Sequence, residues 1–217
     1  MSITENLKEV KNTLPKSVTL VAVSKTKPVE ALKEAYDTGQ RIFGENKVQE
    51  MVQKWEQLPK DIEWHMIGHV QRNKVKYMAE FVSLVHGVDS LKLLKEINKR
   101  AKQHDRTIKC LLQLHIAEEE TKFGLDQKEL EGLISSDVFK NLKNIKIMGL
   151  MGMATFTDKQ EQVKREFKNL KSLFDKLKNK LPEMEIVSMG MSGDFKIAID
   201  QGSTMVRIGS SIFGSRK

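Results

Sequence analysis

The stretch Val21-Ala22-Val23-Ser24-Lys25-Thr26-Lys27 closes an apolar run on a lysine. Side chains alternate along an extended chain, so Lys25 points the same way as Val21 and Val23. If those two valines fill a core, the Lys25 amine stands at its inner rim. Loss of water there depresses an amine's pKa and makes it a nucleophile toward a carbonyl carbon. A surface lysine in a loop approaching a helix carries the same local pattern, so the reading needs support from the rest of the chain.

Two segments near the end of the chain offer it. Ser188-Met-Gly-Met-Ser-Gly-Asp194 and Val206-Arg-Ile-Gly-Ser-Ser211 place glycines and small hydroxyls directly after apolar runs. Such loops let backbone N–H groups approach a phosphate, and serines such as Ser192 and Ser210 add donors. Ordinary turns use the same residues. Arg207 shares its side of the strand with Met205 and Gly209, which turns its guanidinium inward and obliges it to find a partner or a ligand. His65 and His69 have the i, i+4 spacing of a helical metal pair. However, Gly68 and the apolar run Trp64–Ile67 indicate a strand, and no acid or cysteine completes a set, so no metal is expected.

The elements that must position these groups alternate without exception. A helix with Ile3, Leu7, Val10 and Leu14 on one face opens the chain and ends at Pro15. Strands are predicted at Thr19–Val23, Arg41–Gly44, Trp64–Ile67, Ser83–His86, Ile108–Leu114, Ile145–Leu150, Ile186–Ser188 and Met205–Ile208. Helices are predicted from Pro28, then over Val48–Leu58, Lys74–Phe81, Leu91–Gln103, Gln127–Ile134, Lys159–Leu181 and Phe195–Gln201. Short apolar strands separated by helices imply a parallel sheet, and eight of them argue for a closed (β/α)8 barrel of the TIM type. The opening helix, residues 1–15, would take the outer place usually filled by a helix after the eighth strand. The whole of 1–217 reads as one domain. In such a barrel, ligands sit where the strands end, which is where Lys25, Asn46, Ser192, Gly209 and Ser210 fall.

Composition narrows the partners. Lysine and arginine number 37 against 29 acids, a net charge of +8. The basic residues of Lys159–Leu181 form the wet side of an amphipathic helix, with Phe167 and Phe174 on its apolar side, so no nucleic-acid partner is expected. Nothing reads as a signal sequence or a membrane span. Cys110, the single cysteine, reads as a small buried hydrophobe. A cytoplasmic monomer is expected.

Taken together, these segments resemble the pyridoxal phosphate homeostasis proteins, a family related to the barrel domain of alanine racemase. The resemblance rests on Val21–Pro28, Phe43–Glu50, His65–Lys74, Lys122–Gly124, Gly149–Met151, Ser188–Asp194, Val206–Gly209 and Ile212–Gly214. It implies pyridoxal 5′-phosphate (PLP) as cofactor, with Lys25 as the Schiff-base lysine. Ser192, Gly209 and Ser210 would hold the phosphate, Arg207 would face the pyridine nitrogen, and Asn46 would border the cofactor. Lys47 stands where the family usually has tyrosine, and His115 where asparagine is common.

Two activities fit the resemblance: an amino-acid racemase, or a carrier that buffers PLP or delivers it to PLP-dependent apoenzymes. Arg207 beside the pyridine nitrogen opposes protonation of the ring and weakens it as an electron sink. Racemisation also needs a base on each face of the substrate carbon, one of which alanine racemase takes from a tyrosine of a second domain. Here Tyr36 and Tyr77 fall on outer helices, and the chain ends at Lys217 soon after the last barrel motif. The carrier is the expectation.

Overall fold

Short apolar runs become strands and the amphipathic stretches between them become helices. The computed structural model describes residues 2–118 and 123–214. Its strands are β1 (Thr19–Val23), β2 (Ile42–Glu45), β3 (Glu63–Met66), β4 (Leu84–Val88), β5 (Ile108–Leu114), β6 (Ile145–Gly152), β7 (Ile186–Ser188) and β8 (Met205–Ile208). They are parallel and close in chain order, with β8 returning to pair with β1 through Val21 opposite Arg207. This is the expected (β/α)8 barrel.

The helices are α1 (Ile3–Thr13), α2 (Val29–Asp37), α3 (Val48–Gln57), α4 (Leu91–Gln103), α5 (Gln127–Ser135), α6 (Asp137–Lys140), α7 (Gln160–Lys178), α8 (Phe195–Asp200) and α9 (Ser210–Phe213). Two cores result. The larger packs outward-facing strand residues such as Ala22, Phe43 and Trp64 against helix residues such as Leu32, Met51, Ile97 and Phe167. The smaller, built from Val21, Leu84, Leu111, Met148, Met151 and Met205, draws only on strands and fills the barrel interior. Val21 and Met205 therefore face inward, as the alternation requires.

Three details differ from the sequence-based expectation. The segment after β3 is a 3-10 helix, Arg72–Tyr77, and not an α-helix over Lys74–Phe81. Its apolar residues Val75, Met78 and Phe81 recur every third position, a spacing that suits either winding. The guanidinium of Arg106 then donates to the carbonyls of Ala79 and Val82, at 2.6 and 2.8 Å, and ends the segment. Second, β8 is followed by a helix of its own, the single turn α9. The opening helix packs beside it and against α2: Asn6 donates to Ile212 O at 3.1 Å, and Thr4 N donates to Glu34 Oε1 at 3.1 Å. Third, the short α6 follows α5, capped by the Ser136 hydroxyl.

Gly149 shows how tightly the sheet is drawn. Its φ is +156°, and a Cβ there would lie 1.7 Å from Ile186 O. It follows a register shift between β5 and β6, which only a residue without a side chain absorbs. Among the described residues, no helix is long and apolar enough to cross a membrane.

Candidate functional site

The ends of β1 and β8 lie together. A Cβ on Gly209 would stand 3.1 Å from Val23 O, which puts the Gly209-Ser210 corner beside the strand that leads into Lys25. Lys25 follows β1 in a turn closed by Lys27 N donating to Ser24 O at 3.0 Å. The amine-bearing residue is half-buried, whereas Ser24 before it is fully buried. Val21 faces the barrel interior, and Lys25 stands in the turn just past the end of that strand.

The Ser188–Asp194 loop comes to the same corner. Gly209 N donates to Ser192 Oγ at 3.3 Å, and Arg207 N donates to Gly190 O at 3.0 Å. Asp194 folds back to accept from Met191 N at 2.6 Å, which shapes the loop around Ser192. Ser210 opens α9 and is exposed. The opening turn of a helix leaves its N–H groups without intrahelical carbonyls, so this corner gathers donors suited to an anion.

Arg207 points into the barrel and is only 4% exposed. Its Nη1 donates to Ser188 Oγ at 2.6 Å and its Nη2 to Gly152 O at 3.1 Å. Burial lowers its pKa to about 10, with Asp194 acting in the opposite direction, so it stays protonated at neutral pH. Beyond it runs a buried chain: Ser188 Oγ to His86 Nδ1 at 3.0 Å, then His86 Nε2 to His65 Nδ1 at 3.0 Å. Burial pushes the His65 pKa down to about 3, and pushes that of His86 well below the usual imidazole range. The chain therefore consists of a cation, a hydroxyl and two neutral imidazoles.

That arrangement carries a pH prediction. The unfolded histidines titrate near ~6.5, so below that pH the unfolded chain binds protons that the folded chain refuses. Folding stability is therefore lost as pH falls from about 6.5 toward the folded value. Between pH 7 and 5 the expected loss is about 2 kcal/mol for His65, with a loss of the same sign from His86, read by urea unfolding. Imidazole NMR shifts for His65 and His86 should stay those of the neutral ring at pH 5. Titration of either ring near 6 would contradict the buried chain.

Among the remaining predicted residues, Asn46 follows β2 and packs its backbone on Gly68, where a Cβ would sit 2.5 Å from Asn46 O. That close approach explains the glycine after β3. Asn46 thus lies on the rim between the ends of β2 and β3. His69 bonds Asp89 at 3.1 Å and stacks on Phe123 at 5.0 Å between ring centres. Hence His65 and His69 diverge, one into the barrel and one onto the rim. Among the described residues, no cluster of three or more metal-binding side chains occurs. Lys47 is exposed at the start of α3, and His115 is half-buried after β5. Lys122 of the Lys122–Gly124 stretch lies outside the described residues.

Sequence reasoning missed His86 and Ser188 as site residues, although the inward alternation that singled out Arg207 would have found both. It also missed the ion pair of Glu45 with Lys54, at 2.7 Å, which is buried behind the Lys25 turn. Burial raises the Glu45 pKa, with Lys54 and Ser24 pulling against the rise. The assembled groups suit a small phosphorylated aldehyde: an amine for the carbonyl, amides and hydroxyls for the phosphate, and a guanidinium for a ring nitrogen.

The chain is similar to several known proteins. The family profile described as alanine racemase, N-terminal domain, matches residues 1–217. The pyridoxal phosphate homeostasis protein of Aquifex aeolicus is 40% identical over 203 residues, covering 91% of this chain and 87% of its own. Its namesake in Vibrio alginolyticus is 41% identical over 207 residues, covering 93% and 88%. PipY of Synechococcus elongatus, solved with PLP bound, superposes with a TM-score of 0.91 at 33% identity, over 98% of this chain and all of that one. Alanine racemase of Clostridium difficile shares the fold, with a TM-score of 0.84 at 18% identity, and the barrel accounts for 57% of that longer chain. The protein belongs to the family of pyridoxal phosphate homeostasis proteins, built on the alanine racemase N-terminal barrel.

Proposed function

We propose that this barrel, acting as one domain, holds PLP through a Schiff base on Lys25 and buffers it or delivers it to PLP-dependent apoenzymes, without substantial catalysis of its own. Ser192, Gly209 and Ser210 would hold the phosphate, Arg207 would face the pyridine nitrogen, and Asn46 would border the ring. PLP supplies an aldehyde for the lysine and, in enzymes, an electron sink for carbanions. The observation that carries the reading is the meeting of three features at one barrel end: the Lys25 turn, the Gly209–Ser192 corner and the inward Arg207.

Two features favour a carrier over a racemase. A protonated Arg207 donates to the ring nitrogen and so opposes its protonation, which limits carbanion stabilisation. Both tyrosines lie away from the barrel mouth. Tyr36 bonds Asp61, just before β3 and so at the opposite barrel end, while Tyr77 is half-exposed on the outer surface. A missing general acid or base typically costs about 10²–10⁴-fold. We place the protein in the cytoplasm, as a monomer.

The test uses PLP-loaded protein with L-alanine and other L-amino acids in D2O, following α-deuteration and chirality. A second arm offers the loaded protein to a PLP-dependent apoenzyme. The expected result is restored apoenzyme activity with no racemised product. Turnover of about one per second or faster, abolished by Lys25→Ala, would restore the enzyme reading.

A further inference from the structure

The turn that carries Lys25 is held in a conformation its own residues do not favour. Thr26, at its third position, has φ +64°. Left-handed backbone suits glycine or asparagine and is disfavoured for a β-branched residue. Such a conformation persists only where the surroundings over-determine it, and such sites cluster where a ligand is held.

Here the surroundings are three charged side chains. Glu50 Oε1 accepts from Thr26 N at 2.5 Å and from Lys54 Nζ at 2.7 Å. Lys54 Nζ also donates to Ser24 O at 2.8 Å and to Glu45 Oε1 at 2.7 Å. Glu45 Oε1 in turn accepts from Ser24 Oγ at 2.6 Å. The residues on either side of Lys25 are therefore gripped through one amide, one carbonyl and one hydroxyl. The side chains of Lys54 and Glu45 are 5% and 0% exposed. Glu45 Oε2 accepts no hydrogen bond among the described residues.

Stability alone does not account for this cluster. A buried ion pair is often no better than apolar residues of the same size, and α3 already buries Val48 and Met51 on that side. What the ion pair adds is direction, because its hydrogen bonds end on the backbone flanking Lys25.

We propose that Glu45, Glu50 and Lys54 are positioning residues, a clamp that holds the Ser24–Lys27 turn in its left-handed form and so presents the Lys25 amine to PLP. This rests on the reading of Lys25 as the Schiff-base lysine. The clamp acts through the backbone and does not touch the cofactor.

The test compares Glu50→Ala, Glu50→Gln and the double variant Glu50→Ala/Thr26→Gly with the unaltered protein. Two readouts are taken: the rate at which PLP becomes fixed by borohydride to the Lys25 peptide, and hydrogen exchange at the Thr26 amide without PLP. Glu50→Ala is expected to slow fixation about 10-fold, the low end for losing a hydrogen bond to a charged group, and to expose the Thr26 amide. Glu50→Gln keeps the accepting oxygen and should stay near the unaltered rate. In the double variant, glycine adopts the left-handed turn without strain, so fixation should recover even though the acceptor is gone. Unchanged fixation in Glu50→Ala would overturn the clamp while leaving Lys25 in place. Loss that glycine does not recover would also overturn it, marking plain destabilisation. Fixation to another lysine in the unaltered protein would instead overturn the Lys25 reading, and the clamp's role with it.

Discussion

Lys25→Ala is expected to abolish the long-wavelength imine band of the PLP-loaded protein and its borohydride-fixed adduct, while leaving the barrel folded. That band requires conjugation of the cofactor ring with an imine, which only an amine forms; the free aldehyde absorbs at shorter wavelength. The residue is half-buried in a turn and takes no part in either core, so truncation leaves no cavity of the kind that costs several kcal/mol. Residual PLP binding should persist through the Ser192–Gly209 corner, with the shorter-wavelength absorbance of the free aldehyde. Lys27 is the control. Its Nζ donates to Phe213 O at 2.9 Å and Gly214 O at 3.1 Å, tying β1's loop to α9. An adduct that survives Lys25→Ala, or maps to Lys27, would remove Lys25 from the site.

Most of the barrel is legible in the sequence because the strands are short apolar runs, nearly all closed by glycine, serine or an acid, β5 before His115 being the exception. Each long helix shows its apolar face at 3.6-residue spacing. The segment after β3 escapes this reading, because Val75, Met78 and Phe81 recur at a spacing common to both helix types. Just past that turn, Arg106 from beyond α4 holds the carbonyls of Ala79 and Val82, a contact the local pattern does not show. α9 escapes because a single turn is too short to show a period.

The site divides in the same way. Alternation along one strand is enough to aim Arg207 inward, since it needs only its own neighbours. The Arg207–Ser188–His86–His65 chain joins β8, β7, β4 and β3 across the barrel, which follows only once the strand order is known. Lys54 reads in sequence as one more wet lysine on an amphipathic helix. It is buried because α3 lays Glu50 and Lys54, one turn apart, against the end of β1. The charge pattern of α3 is visible, but the carbonyl it seeks is not.

The phosphate end makes the other large prediction. Pyridoxal lacks the phosphate, and its freed 5′-hydroxyl closes on the aldehyde as an internal hemiacetal, so it should bind at least about 10²–10⁴-fold more weakly than PLP. Hydrogen bonds to a charged group are worth about 1.5–3 kcal/mol each, and two such bonds span that range at 1.4 kcal/mol per tenfold. The donors we propose are the Ser192 hydroxyl, the Gly209 N–H now spent on that hydroxyl at 3.3 Å, and the Ser210 amide and hydroxyl. The net charge of +8 offers a competing explanation, because a basic surface attracts any phosphate. Salt separates the two. Attraction by exposed lysines fades once the Debye length falls from about 10 Å at 0.1 M to about 3 Å at 1 M, whereas short bonds in a shaped corner are screened far less. The preference for PLP over pyridoxal should therefore survive 1 M salt, and Ser192→Ala should cut it by about 10-fold. A preference that vanishes in high salt and ignores Ser192→Ala would assign phosphate recognition to the surface charge and empty the proposed corner of its role.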